Sequence, residues 1–472
     1  MKRLLSQRES GCPKRPRSNF IPTRLIDQGS RPCDTPRLII TAASLTSPVK
    51  YAALSYCWGN RAEAATQLKT EHKSLADRHR GIPVSLMAKV MQDAVLVCHS
   101  LSIQYLWIDA LCIIQDTIGS RHDSDWDIES EMMGLIFLNA HVTICAASAA
   151  SCHESFLNRT KKPRVDIGYA STLHSQAFGT FTLLDPVGAD AMYQQDSPQS
   201  DGGDDPLYRD LWRCKWRTRG WVFQEQYMST RHLIFGRSMM HFKCAWLSIS
   251  ENGYAHRWRE PQLFSEKIRL ATEGTTNGAF NYRDHRSLIQ EYARTHLSFE
   301  TDRLPAFAGI ARAISGSSKD KYLAGMWRRE LKNSLLWYAY DSDYTTVDDV
   351  IAARLPQSVA AGPSWSWVST GGGGRFRNLD FVSREDIHLR PEYQQLLAWT
   401  TFAGSNPHGN VTIGVLRITA QLFPLGSVTT VKLFVHEIMA GMTYDHWRVY
   451  VGDDYVATCY SDWKVTKTKA LY

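Results

Sequence analysis

Eight residues stand out for the chemistry that their types and spacing allow. Trp221 and Glu225 are four positions apart, so a helix through them presents an indole and a carboxylate on one face. Ser55, Tyr56 and Trp58 close an apolar run that stops at Gly59, while Asp109 and Gln115 lie at and beyond the end of a second run, residues 105–109. In a parallel sheet, ligands sit beyond the carboxyl ends of the strands, which makes these five candidates for ligand contacts. A fixed carboxylate offers acid, base or charge-stabilising chemistry, and aromatic rings offer a surface for stacking. Arg219 ends a basic block with Arg209, Arg213, Lys215 and Arg217. That block either faces a phosphate or pairs with the acidic stretch before it, and pairing is the favoured reading.

Each candidate also has a structural use. Asp109 can cap a helix or turn, Trp58 and Trp107 suit a core, Glu129 can pair with an Arg, and Arg219 can satisfy Glu225. Familiar catalytic arrangements are missing from the sequence: there is no G-x-S-x-G, Walker A, G-x-G-x-x-G or H-E-x-x-H. The glycines at 371–374 precede no Lys-Ser/Thr and read as a flexible turn. The ten cysteines include no C-x-x-C pair, which argues against a metal site. Cys98, Cys112 and Cys145 sit in apolar runs and read as buried thiols in a reducing compartment. Cys152-His153 reads as a surface loop, and nothing places a base beside any one thiol.

The elements that must position these residues alternate. Residues 38–40, 51–56, 105–109 and 142–147 read as strands. After Pro83, the spacing of Met87, Val90, Met91, Ala94, Val95 and Cys98 predicts a helix with one buried face. Asp123 or Ser124 would cap another, with Trp126, Glu129, Met133, Ile136 and Ala140 along its stripe. This rhythm predicts an α/β fold, a mostly parallel sheet covered by helices on both faces. Residues 185–208 hold six Asp and no Lys or Arg, a solvated mobile insertion. A helix then begins at Trp221, followed by a hairpin over 232–235 and 240–246. Residues 263–340 read as mostly helical, with Pro305 near a first turn and an amphipathic helix over 322–337. Runs such as 411–419 and 431–435 predict a small β-rich end. The expected division is a basic disordered tail (1–20), an α/β domain (21–250), a helical extension (251–375) and a β-rich region (376–472). No internal repeat is evident.

The bulk properties bound the function. A chain of 472 residues with 43% hydrophobic and 21% charged residues can bury a sizeable core. The formal net charge is +7, but six basic residues against Glu9 put +5 of it in the first twenty positions. The near-neutral remainder argues against a nucleic-acid-binding body. No 18-residue apolar stretch and no secretory h-region occur, so neither a membrane span nor secretion is expected, and the chain reads as cytoplasmic. Pro13-Lys-Arg-Pro-Arg17 leaves the nucleus as a second compartment, although a solvated terminus is the favoured reading.

Several segments in order resemble the heterokaryon-incompatibility (HET) family. These are Tyr51-Ala-Ala-Leu-Ser-Tyr-Cys-Trp-Gly59, Leu106-Trp-Ile-Asp-Ala-Leu-Cys-Ile-Ile-Gln115, Asp125-Trp-Asp-Ile-Glu129 with Ile136-Phe-Leu-Asn-Ala140, and Arg219-Gly-Trp-Val-Phe-Gln-Glu225. Asp302-Arg-Leu-Pro-Ala306, Tyr322-Leu-Ala-Gly-Met-Trp327 and Pro363-Ser-Trp-Ser-Trp367 are similar to segments that follow such domains in filamentous fungi. Ile114 stands where the family usually has Asn, Phe137 where Tyr is common, and Lys243 where many members have Glu. The resemblance implies fungal nonself recognition leading to programmed cell death, with protein partners and self-association. HET domains are in turn distantly similar to TIR domains, whose enzymatic members cleave NAD with a Glu in a W-x-x-x-E helix. That likeness implies Glu225 as catalytic carboxylate and NAD as substrate. The carboxylate would stabilise positive charge on the ribose, Trp58 or Trp221 would stack on a flat ring, and Arg217 or Arg219 would contact pyrophosphate.

Overall fold

The computed structural model describes residues 19–117, 124–159, 164–173, 177–184, 206–211, 214–257, 264, 282–335, 337–339, 362–370, 379–381, 393–404, 406–420, 429–439, 442–451 and 454–460. The first eighteen residues, the acidic stretch up to 205 and the glycines at 371–374 lie outside them. In chain order, the helices used below are α1 (Arg61–Thr66), α2 (Lys89–Leu101), α3 (Asp109–Cys112), α4 (Asp125–Asn139), α5 (Pro206–Leu211), α6 (Gly220–Met228), α7 (Tyr282–Ala293) and α8 (Ala308–Ser318). The chain forms two compact units. One draws on Met1–Asp116, Ile136–Arg217 and Ser229–Glu266, the other on Thr117–Leu135, Thr218–Met228 and Lys267–Tyr472.

The first unit is built on a nine-stranded sheet. Its strands are β1 (Arg24–Asp27), β2 (Arg37–Ile40), β3 (Tyr51–Ser55), β4 (Tyr105–Trp107), β5 (Val142–Cys145), β8 (Arg231–Phe235), β9 (Met240–Cys244), β10 (Leu247–Ser250) and β11 (Ala255–Arg257). Strands β6 (Arg164–Ala170) and β7 (Phe178–Leu184) form a separate hairpin. The order in the large sheet is β11-β10-β9-β8-β5-β3-β4-β1-β2. The middle four strands pair in parallel. Both flanks are antiparallel, with β1 beside β4 and β2, and β8 to β11 as a meander. Short links return β1 to β2 and each of β8 to β11 to the next antiparallel, whereas the parallel neighbours are joined by longer crossovers; β1 reaches β4 antiparallel across a long connection. Strands β3 and β5 are buried along their whole length, as their nearly unbroken apolar sequences require.

Helix α2 packs on β3 and β4 through Val90, Met91, Ala94, Val95 and Cys98, and leaves Leu96 toward solvent. It ends at Ser102, whose left-handed φ of 59° lets its N–H reach the carbonyls of Cys98 and His99. Helix α5 begins at Pro206, a residue with φ preset for a first turn, so positions 206–208 of the expected loop are helical.

The second unit holds α6, α7, α8 and α4 up to Leu135. Ser124 caps α4, donating to and accepting from Asp127. The Phe223 ring on α6 stacks on Tyr227 at 4.3 Å and packs against Tyr292 of α7 at 5.2 Å and Phe307 at 6.3 Å. Pro305 opens the turn that leads into α8, as expected.

The helix expected over 322–337 does not form. Strands β12 (Tyr322–Leu323) and β13 (Met326–Trp327) make a hairpin, followed by short helical turns. Ala324 and Gly325 both have positive φ, 47° and 93°, the signature of a two-residue type I′ turn. Strand β14 (Trp337–Ala339) pairs with β15 (Leu379–Phe381), and β16 (Tyr393–Phe402) with β17 (Val411–Ala420). Strands β18 (Thr429–Met439), β19 (Met442–Val451) and β20 (Asp454–Tyr460) form an antiparallel meander, so the C-terminal region is rich in strands as predicted.

Candidate functional site

In the first unit, two of the strand-end candidates turn inward. The Ser55 hydroxyl is buried and accepts the Trp216 indole N–H at 2.8 Å. The Tyr56 hydroxyl is buried too, and donates to Gln67 Oε1 at 2.9 Å. The other three are half-buried and come together. Trp58 donates from Nε1 to Asp109 Oδ2 at 2.8 Å, while Asp109 Oδ1 accepts the Ala110 N–H at 2.7 Å in the first turn of α3. The N-cap of α3 is Ile108, without a side-chain cap hydrogen bond, so Asp109 is not the expected helix cap; its carboxylate joins the Trp58 indole to the first turn of α3. Gln115 donates to the carbonyls of Asp109 and Ile113, at 3.2 and 3.1 Å.

Lys69, which carries no sequence pattern, places its ammonium 5.2 Å from the centre of the Trp58 ring. Thr70 fastens this segment: its N–H and hydroxyl donate to Ala110 and Leu111 carbonyls, and its own carbonyl accepts from Gln115 N–H. The chain leaves β3 through Gly59 at φ 92°, where a Cβ would lie 2.4 Å from the Glu63 carboxylate. Backbone N–H of Asn60, then the Ser151 hydroxyl, hold Glu63 below the usual carboxylate range.

The other three candidates lie in the second unit. Helix α6 puts Trp221 and Glu225 one turn apart, Trp221 half-buried and Glu225 6% exposed. Arg219 precedes the helix and bridges in parallel to His296, and the Gly220 N–H donates to the His296 carbonyl at 2.8 Å. The Trp221 indole donates to Asp302 Oδ2 at 3.1 Å and meets Trp126 edge-on at 5.9 Å. Burial pushes the Asp302 carboxyl up to about 6; the Glu300 charge adds to the rise and the indole N–H opposes it. Asp302 is not among the candidate site residues of the sequence. Its single signal was membership of the Asp-Arg-Leu-Pro segment.

A further polar cluster in the first unit is fully internal. His241 Nε2 meets Asp210 Oδ2 at 3.0 Å, and His241 Nδ1 meets Ser250 Oγ at 2.8 Å. Ser238 donates from both its N–H and its hydroxyl to Asp210 Oδ1. The residue types are those of a hydrolytic triad, but the ring is reversed relative to the hydrolase arrangement and all three side chains are buried. The cluster fastens α5 to the β8–β9 hairpin and offers a substrate no nucleophile.

The other residues singled out in the sequence have mixed outcomes. Cys98, Cys112 and Cys145 are buried. Cys152 is buried as well, donating to the Glu63 carbonyl, and only His153 is exposed. Arg217 lies over the Tyr208 ring at 5.2 Å, while the acidic partner expected for the basic block falls outside the described residues. Ile114 is buried and bridges to Thr70. Phe137 packs edge-on against the buried Trp107 at 5.7 Å, and Lys243 sits in β9 between His232 and Ser248. Among the described residues, no three His, Cys, Asp or Glu side chains are grouped to hold a metal.

Residues 51–225 match the family model described as heterokaryon incompatibility protein (HET). The chain carries a HET domain. No curated protein and no solved structure matches it. The matched span begins with β3 and ends at Glu225, so it takes in the Trp58–Asp109 pair and most of α6. Asp302 lies beyond the HET match.

Proposed function

We propose that this HET-domain chain acts in fungal nonself recognition and drives programmed cell death through protein contacts, self-association among them. The match over residues 51–225 carries the reading. The cytoplasm is the compartment it requires, with the nucleus a second location through the basic tail; no helix among the described residues is long and apolar enough to cross a membrane. Regulated expression of the full chain in a fungal host tests it. Loss of viability on induction is the expected result. Unimpaired growth at full expression, alone and beside strains of differing incompatibility type, overturns it.

A second reading, cleavage of NAD, is favoured by one observation: a buried carboxylate and a half-buried indole share α6 as Glu225 and Trp221. The likeness to TIR domains makes Glu225 the catalytic carboxylate and Trp221 the ring beside it. Nicotinamide release by purified protein at high concentration, abolished in Glu225→Gln, is the expected outcome. Intact NAD under all assembly conditions overturns this reading and leaves the interaction reading standing.

A further inference from the structure

We propose that Asp302 is a positioning residue for the Trp221–Glu225 face of α6: its carboxylate fixes the Trp221 indole by accepting its N–H, and protonation weakens that hold. The importance of that face rests on the proposed function, whereas the coupling itself does not.

Among the described residues, Trp126 and Asp302 both restrain the indole. Trp126 of α4 braces it edge-on, at 5.9 Å and 87° between ring planes. Asp302 takes its only donor, at 3.1 Å. An edge-on ring contact is weak and permits rotation, whereas a charged acceptor specifies where Nε1 points. A neutral carboxyl still accepts through its carbonyl oxygen, but less strongly, so removing the charge from Asp302 weakens the directional restraint and leaves the ring contact.

The backbone around Asp302 is held independently of that charge. Arg303, wholly buried, donates to Glu300 at 2.9 Å and to the Thr295 carbonyl, and lies over the Tyr292 ring at 5.7 Å. Tyr292 in turn donates to the Arg303 carbonyl at 2.7 Å. Among the described residues, the titratable groups that act on Asp302 are Glu300 on its own turn and the Tyr292 hydroxyl from α7, while α6 presents the Trp221 indole. Glu300 keeps one oxygen buried without a hydrogen bond, so a second acid in this setting disfavours the charge on Asp302. A carboxylate that is costly to ionise, and whose ionisation holds one aromatic ring, couples proton concentration to ring position.

The test is fluorine NMR of the full chain labelled with fluorotryptophan, recorded from about pH 4.5 to about pH 7.5, a window that brackets a carboxyl raised by burial. Trp221→Phe identifies the Trp221 resonance. That resonance is expected to move through a single inflection in the parent protein, to stay fixed in Asp302→Asn and to titrate again in Asp302→Glu. A pH-independent Trp221 resonance in the parent, or an unchanged titration in Asp302→Asn, overturns the proposal. Should Asp302→Asn fail to fold, the parent and Asp302→Glu titrations decide. Nicotinamide release measured on the same samples separates the two ideas: its absence leaves the resonance result standing, and a flat resonance leaves turnover standing.

Discussion

Gly134 on α4 and Gly309 on α8 meet backbone to backbone, so close that a Cβ on either would lie 2.7 Å from the Cα of the other. The Gly309 N–H also donates to Gln224 Oε1 on α6 at 2.5 Å, which ties the same point to the helix of Trp221 and Glu225. Neither backbone can yield without separating the helices. Gly134→Ala and Gly309→Ala are each expected to destabilise the second unit by about 1–3 kcal/mol, the usual cost of overpacking. Urea unfolding followed by tryptophan fluorescence reads the shift; unchanged midpoints in both variants would refute the close approach.

Ser55 is expected to behave as a structural residue. Ser55→Ala leaves the buried Trp216 N–H without its acceptor, a loss of about 1–3 kcal/mol. Thermal melting should show it, and Ser55→Ala with Trp216→Phe should recover much of the loss. A variant as stable as the parent but inactive in the cell-death assay would return Ser55 to the functional set.

The Asp210–His241 cluster should carry a pH signature. Burial raises the Asp210 carboxyl, but hydrogen bonds from His241 and Ser238 outweigh it and the net shift is downward. A carboxyl lowered on folding contributes stability above its unfolded value of 3.8 that is lost as pH falls through the folded value. Asp210→Asn is expected to cost about 1–3 kcal/mol at neutral pH, as for weakened hydrogen bonds to a buried carboxylate, and to flatten this acid limb. Equal acid sensitivity in variant and parent would count against the assignment.

Asp302 predicts the opposite slope in a separate window. Its carboxyl is raised from 3.8 to about 6 by burial, so the folded state binds the extra proton. Stability from this group is complete below 3.8 and declines as pH rises toward about 6, by up to about 3 kcal/mol. Asp302→Asn should remove the decline. Denaturant midpoints at several pH values check it, and a parallel decline in the variant would point to another group.

The sequence made legible what depends on local pattern. The spacing of Val90, Met91, Ala94, Val95 and Cys98 alone places the buried face of α2, and the apolar runs at 51–55 and 142–145 announce strands covered on both faces. The hairpin at 322–327 was hidden because its apolar residues also fit a helical spacing. What decides against the helix is remote: Trp367 Nε1 donates to the Gly325 carbonyl and Ser366 to that of Ala324, so the turn is held from forty residues downstream. The candidate site divides in the same way. Trp58, Asp109 and Gln115 were readable as strand-end residues, but the inward turn of Ser55 needed Trp216 and the role of Lys69 needed the Thr70 clasp. Asp302 could not be found from any spacing, because its partner Trp221 lies 81 positions away.

The HET match stops at Glu225, yet α6 runs to Met228 and, Trp126 apart, the contacts described for it come from later in the chain. Tyr292, Asp302, Phe307 and Gly309 all contact this helix from beyond the matched span. The stretch that carries the family pattern is therefore not an exchangeable cassette. A recombination event that joined it to a foreign downstream sequence would hand Trp221 and Phe223 unfamiliar neighbours, so the helix and these later contacts are expected to be inherited together. Diversity between related chains would then have to accumulate in matched pairs on either side of residue 225.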